Sequence, residues 1–169
     1  MESLAPFHFQ FVHFPIALTF AGLLFALLGY LRKSEFLFAA SRYTLYVATL
    51  GAMAAATTGL MAEEYLPHSH EGEAHEIMEG HETLGLSIAG GLLLTSILSI
   101  FAEKKKWAGA RKIVLILLFI LSSAVAVTGY LGGRLGHEFG IGIQKEEGPL
   151  PATNVIKKEG SPHEHHDHH

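Results

Sequence analysis

The stretch IVLILLFILSSAVAV, residues 113–127, decides the fold class of this chain. It carries no charged residue, and two adjacent serines are its only polar side chains. A helix of a soluble four-helix bundle needs a polar face toward water, which this stretch does not offer. Composition points the same way, since 49% of the residues are hydrophobic and the mean hydropathy is +0.30. The stretch therefore predicts a helix that spans a membrane.

Four segments without Asp, Glu, Lys or Arg are long enough to cross a hydrocarbon core of about 30 Å as helices. They are residues 11–31, 43–62, 84–102 and 113–131. We therefore predict an all-α fold, an integral-membrane four-helix bundle formed by residues 1–143. Residues 144–169 show no helical period and end in HEHHDHH, which predicts a flexible, histidine-rich tail.

Charge in the connecting loops predicts the orientation of the bundle. The loops after the first and third spans hold eight basic residues: Arg32, Lys33, Arg42, Lys104, Lys105, Lys106, Arg111 and Lys112. Residues 63–82 hold seven glutamates and no Lys or Arg. Because short cytoplasmic loops carry the excess of Lys and Arg, residues 63–82 and both termini are predicted to face the periplasm of a bacterial inner membrane.

The chain contains an internal repeat. HFPIALTFAGLL from His13 aligns without a gap with HETLGLSIAGGL from His81, and AAATTGLM from Ala54 aligns with AVAVTGYL from Ala124. The offsets are 68 and 70 residues, so the chain reads as two copies of a helical hairpin. Each copy has two spans, which predicts a parallel repeat about an axis normal to the membrane.

The repeat makes His13 and His81 equivalent residues near the outer ends of two helices. Ala17 and Gly85 lie one helical turn further along, so each histidine is followed by a small side chain. A b-type haem held by one imidazole from each side would need such space, because haem iron takes His as an axial ligand. Arg134, near the end of the fourth span, is the predicted partner of the propionates.

A structural interpretation of the same residues stays open. Small residues at helical spacing let membrane helices approach closely whether or not they bind anything. An imidazole at the membrane interface is often a polar group whose hydrogen bonds are satisfied and that has no further role. Alternatively, Pro15 suits an early helical position, which would place His13 at the start of a helix.

A second population of histidines lies mainly in the acidic loop and the tail. The candidate metal ligands are His68, His70 and His75 in the loop, His137 after the fourth span, and His163, His165, His166, His168 and His169 in the tail. Histidine and carboxylate suit Zn, Cu or Ni, although no spacing here defines a coordination geometry. The chain has no cysteine, so thiolate-bound clusters and covalently attached c-type haem are excluded.

Four motifs follow one another along the chain: the HFPIAL opening of span one, the Thr-Gly ending of span two, the His before span three and TGYLGGRLGHEFGIGI after span four. In this order they resemble an uncharacterised bacterial family of four-span predicted membrane proteins. The resemblance covers about residues 6–143. The resemblance implies association with redox proteins, because members of that family occur fused to, or encoded beside, c-type cytochrome domains. Phe139 stands where the family pattern has its last His, and His137 lies two residues earlier.

These observations favour a non-enzymatic membrane subunit that transfers electrons through a haem or another redox metal near the outer face. Membrane lipid surrounds it, a quinol or a periplasmic c-type cytochrome is the expected partner, and nucleic acid is not expected. The alternatives are a membrane protein that handles Zn, Cu or Ni through its loop and tail, and a structural subunit.

Overall fold

The computed structural model describes residues 5–63, 72–107 and 109–140, and these residues form four helices and no strand. The helices are α1 (Ala5–Arg32), α2 (Glu35–Glu63), α3 (Glu73–Lys104) and α4 (Ala110–Phe139). The predicted all-α four-helix bundle is confirmed. The predicted tail, residues 144–169, lies outside the described residues.

All four helices are long and apolar enough to cross a membrane. Large apolar side chains cover the outside of the bundle, and Leu50, Leu94 and Phe119 are more than 60% exposed. In a soluble protein such a surface would aggregate, whereas in a bilayer it faces acyl chains. The interior holds a few large side chains, chiefly Leu45, Leu92 and Leu118, among alanines and buried hydroxyls.

The helices pack in cyclic order, α1 against α2, α2 against α3, α3 against α4 and α4 against α1. The diagonal pairs make hardly any contact. A two-fold axis through the centre that exchanges α1 with α3 and α2 with α4 reproduces this order. The fold thus agrees with the repeat seen in the sequence.

Hydrogen bonds within the helices repeat as well. The Thr19 hydroxyl donates to the Pro15 carbonyl, and the Ser87 hydroxyl, 68 residues later, donates to the Thr83 carbonyl, both at 2.7 Å. In the second helix of each hairpin, the hydroxyls of Thr58 and Thr128 donate to alanine carbonyls four residues earlier, both at 3.0 Å. The two hairpins therefore share side-chain geometry as well as sequence.

The turns that close the two hairpins lie at one end of the bundle, which we call the basic end. Lys33 follows α1 with φ 51°, and Lys106 follows α3 with φ 50°. After each lysine, an N–H bonds the carbonyl five residues back, Ser34 to Gly29 and Trp107 to Ala102. This is the 6→1 bond of a Schellman motif, with lysine in the left-handed position where glycine is usual.

Contacts between helices are close and partly polar. A Cβ on Gly91 of α3 would lie 2.6 Å from Leu121 Cδ2 of α4, so any side chain at this position would require the leucine to change its conformation. Deep in the bundle, the hydroxyls of Thr49 and Ser96 lie 2.8 Å apart and join α2 to α3. Interhelical hydrogen bonds of this kind contribute about 0.6 kcal/mol each in membrane proteins.

The helices extend beyond the predicted spans. Regular helix continues past the apolar segments because the flanking residues, including Arg32 and Lys104, have good helix propensity. Helix α1 begins at Ala5, so Pro15 lies in the interior of the helix. The expectation that Pro15 marks a helix start is therefore wrong for this chain.

Candidate functional site

His81 is held against α4 at the end of the bundle opposite the basic end, which we call the histidine end. Its side chain is half-buried, and Nδ1 lies 3.0 Å from the carbonyl oxygen of Thr128. A carbonyl oxygen only accepts, so Nδ1 carries the proton and donates. In the neutral imidazole, Nε2 is then the nitrogen with the lone pair, which is the form that binds a metal.

Gly132 makes room for this imidazole. A Cβ on Gly132 would lie 3.0 Å from Cε1 of His81 and 3.4 Å from its Nδ1. Any side chain at this position would therefore push the ring away from α4. Thr128 and Gly132 are one helical turn apart, so the carbonyl of one and the missing side chain of the other form a single seat for His81.

His13 is the counterpart of His81 in the sequence repeat. Both histidines lie in the part of their helix that is remote from the basic end, His13 19 residues before Arg32 in α1 and His81 23 residues before Lys104 in α3. The two helices lie at diagonal corners of the bundle. Their surroundings differ, because His13 is exposed whereas His81 is half-buried. The two histidines thus share one end of the bundle and differ in environment.

The predicted small residues differ between the two copies. Ala17, one turn after His13, is exposed. Gly85, one turn after His81, is half-buried, and a Cβ built on it would meet no atom within 4 Å. Open space therefore lies beside α3 directly below His81.

Arg134 is engaged by two carboxylates. Its guanidinium donates to Glu138 through Nε and Nη2, at 2.7 to 3.0 Å, and to Glu73 through Nη2 at 2.9 Å. A propionate would have to compete with these glutamates for the same donors. Glu73 lies on α3, so the ion pair also ties α4 to α3 beside the seat of His81.

The metal-ligand candidates of the loop and tail are largely outside the described residues. His75, in the first turn of α3, and His137, in the last turn of α4, are both exposed. Outside the described residues lie His68, His70, His163, His165, His166, His168 and His169. Within residues 5–63, 72–107 and 109–140 no group of three or more His, Asp or Glu is placed to hold a metal ion.

Four residues of this end were not among the predicted site residues. Thr128 and Gly132 form the seat of His81, and Glu73 and Glu138 bind Arg134. The i,i+4 spacing of Arg134 and Glu138 was a usable signal for an ion pair. Thr128 belongs to the repeated Thr-Gly pair, but sequence alone cannot predict that its backbone carbonyl accepts a hydrogen bond from another helix.

Comparison with known proteins agrees with the resemblance seen in the sequence. The model of a family described as predicted membrane protein (DUF2231) matches residues 4–145, which include all four helices. No curated protein and no solved structure matches the chain.

Proposed function

The chain belongs to the family of predicted membrane proteins (DUF2231), a description that gives no activity, and from its own geometry we propose that it is a membrane electron-transfer subunit. In this proposal a b-type haem is held at the histidine end through His81 and His13. The proposal places this end on the periplasmic side of a bacterial inner membrane, because the eight basic residues lie at the opposite end.

The hydrogen bond from His81 Nδ1 to the Thr128 carbonyl carries this proposal. Histidines that bind metals almost always donate their other ring N–H to a carbonyl or carboxylate, which fixes the tautomer and the ring orientation and increases the basicity of the ligating nitrogen. His81 is oriented in this way by α4, and Gly132 admits the ring at that position.

Neighbouring residues fit a flat cofactor in part. The open space beside Gly85 lies where a macrocycle bound through His81 would need relief. His13 of the first hairpin also lies away from the basic end and its side chain is exposed, so it is the candidate for a second ligand. The guanidinium of Arg134 would serve a propionate only after exchanging one of its glutamates.

A bound haem would supply a one-electron carrier, and the residues of this chain would set where that carrier sits. His81 would hold the iron through Nε2, and the Thr128 carbonyl would keep the ring from rotating. The low-polarity bundle below would keep water from the site. Since His13 and His81 lie at one end only, electrons would be exchanged at the outer surface, with a quinol or a periplasmic c-type cytochrome as partner.

Reduced-minus-oxidised absorption spectra of the purified protein test the proposal. After expression with ample haem supply, the wild type should show a low-spin b-type spectrum. His81→Ala and His13→Ala should each abolish or greatly weaken it, because each removes one of two protein bonds to the iron. Gly85→Leu should weaken it by filling the space below His81. His75→Ala, an exposed histidine of the same helix, is the matched control and should keep it.

Absence of haem in the wild type would overturn the proposal, as would wild-type spectra for both histidine variants. Deletion of residues 160–169 should leave the spectrum intact. Loss of the cofactor on this truncation would show that the tail, and not the bundle, holds it.

Metal handling is the second candidate, and it is favoured by composition. Eight of the twelve histidines lie between residues 68 and 75 or after Pro162, and glutamates and Asp167 are interspersed among them. A colourless protein that binds Zn, Cu or Ni in isothermal titration, and loses this binding when residues 160–169 are deleted, would support this candidate in place of the first.

A further inference from the structure

We propose that the basic end holds a specific site for one anionic phospholipid, formed by the last turns of α3 and by Trp107. The acyl chain would lie in an open apolar groove on α3, and the phosphate would meet Lys105. The site is at the opposite end of the bundle from the histidines and does not depend on the function proposed above.

The groove follows one face of α3. It is lined by Leu98, Phe101, Ala102 and Lys105, spaced i, i+3, i+4 and i+7, together with Trp107, which follows the helix. Residues at this spacing share one helix face. Along that face the side chains change from apolar to cationic over about 10 Å, at 1.5 Å per residue.

Trp107 closes the groove at the membrane boundary. Its side chain is 50% exposed, and Nε1 lies 3.3 Å from where a Cβ on Gly109 would stand, so the indole rests against the backbone of the α3–α4 turn. The Schellman bond from the Trp107 N–H to the Ala102 carbonyl, at 2.9 Å, turns the chain back toward the groove. Trp is enriched at the level of lipid headgroups, which places Lys105 at the depth of a phosphate.

Charge at this end favours an anion. The two glutamates at this end are paired with arginines. The Glu35 carboxylate accepts hydrogen bonds from both terminal nitrogens of Arg111, and the Glu103 carboxylate lies 2.8 Å from the Arg42 guanidinium. By contrast, the four lysines of this end of α3 and α4 form no ion pair with any described residue. They are Lys104, Lys105, Lys106 and Lys112. The uncompensated charge beside the groove is therefore positive.

An anionic phospholipid is the ligand that matches both parts of this surface. A free phosphate would use the lysines alone and make no use of the adjacent apolar groove, where Phe101 is 57% exposed. A zwitterionic lipid would fill the groove but bring a cationic group toward the lysines. A lipid with a net negative headgroup satisfies the apolar face and the charge together.

Trp107 is the only tryptophan in the chain, so its fluorescence reports on this site without labelling. The full-length protein is reconstituted in phosphatidylcholine vesicles that contain a fixed fraction of brominated phosphatidylglycerol or of brominated phosphatidylcholine. Bromine quenches indole on contact. We expect the anionic lipid to quench Trp107 more strongly than its fraction in the bilayer predicts, whereas the zwitterionic lipid quenches in proportion.

Lys105→Gln should weaken the preference for the anionic lipid by about fivefold, the effect of one lysine near a charged surface. Lys33→Gln removes the same charge from the other turn of the basic end and is the matched control, which should keep the preference. Equal quenching by both lipids would overturn the proposal. Equal loss in both variants would overturn it as well, because that result shows attraction by the total charge without a site.

Discussion

At the scale of single residues, two histidines related by the repeat have diverged in environment. His81 lies within hydrogen-bond distance of a backbone carbonyl of α4, whereas the side chain of His13 on α1 is exposed. The sequence predicted the pair, because the two copies align without a gap and each has a histidine just before its apolar run. The sequence did not predict the hydrogen bond from His81 to Thr128, because the acceptor is a main-chain oxygen on another helix and no residue type specifies it.

Gly132→Ala tests whether the seat of His81 depends on a missing side chain. The added Cβ would lie 3.0 Å from Cε1, so the ring must shift and its bond to Thr128 is weakened or lost. We expect an unfolding free energy about 1 kcal/mol lower than that of Gly133→Ala, the value of one hydrogen bond. Gly133 is the control because a Cβ there meets nothing within 4 Å, while the gain in helix propensity is the same.

Denaturant unfolding in detergent measures this difference, and the NMR signal of the His81 Nδ1 proton should change in the first variant alone. If Gly132→Ala and Gly133→Ala are equally stable and keep that signal, the seat does not constrain the imidazole.

At the scale of the elements, the hairpin turns are the least predictable part of the bundle. Apolar runs of about 20 residues bounded by charges predicted the four helices, since a helix satisfies its backbone hydrogen bonds within one segment inside a bilayer. The exact ends were not predictable, because charged residues such as Arg32 extend a helix as readily as they end it. Lysine in the left-handed position also gives no signal, since glycine is the residue expected there.

Lys33→Gly and Lys106→Gly should each stabilise the protein. Both lysines have positive φ, which costs a residue with a Cβ about 1–2 kcal/mol, and glycine avoids that cost while losing more entropy on folding. We expect a net gain of about 0.5–1 kcal/mol in the free energy of unfolding for each variant.

Two controls separate backbone conformation from charge in this experiment. Lys33→Gln removes the charge and keeps the Cβ, so it should give no gain. Lys104→Gly places glycine within the last turn of α3 and should destabilise. A gain in Lys33→Gln equal to that in Lys33→Gly would show that relief of charge repulsion, and not the turn geometry, is responsible.

At the scale of the whole molecule, the bundle is polarised. Eight basic residues surround the hairpin turns, while the described histidines lie toward the opposite end. Fold class and repeat were predictable here because hydrophobic length and self-similarity are properties of the chain itself. The cofactor was not, since equivalent histidines and small residues also arise from helix packing alone.

Reporter fusions test the orientation that this polarity predicts. Alkaline phosphatase, which is active only in the periplasm, should be inactive when fused after Lys106 and active when fused after Gly140. Green fluorescent protein at the same positions should give the opposite result. An active phosphatase after Lys106 would reverse the orientation and place the histidine end in the cytoplasm.

The cyclic packing of the helices also bears on the ancestry of the chain. The contact of α2 with α3 has its counterpart in the contact of α4 with α1, so each hairpin meets the other through the corresponding pair of helices. This is the isologous interface of a two-fold homodimer, carried within one polypeptide. Duplication and fusion of a gene for a single hairpin would produce this arrangement. Within one polypeptide the two copies need not stay identical, and here one histidine is half-buried while its counterpart is exposed.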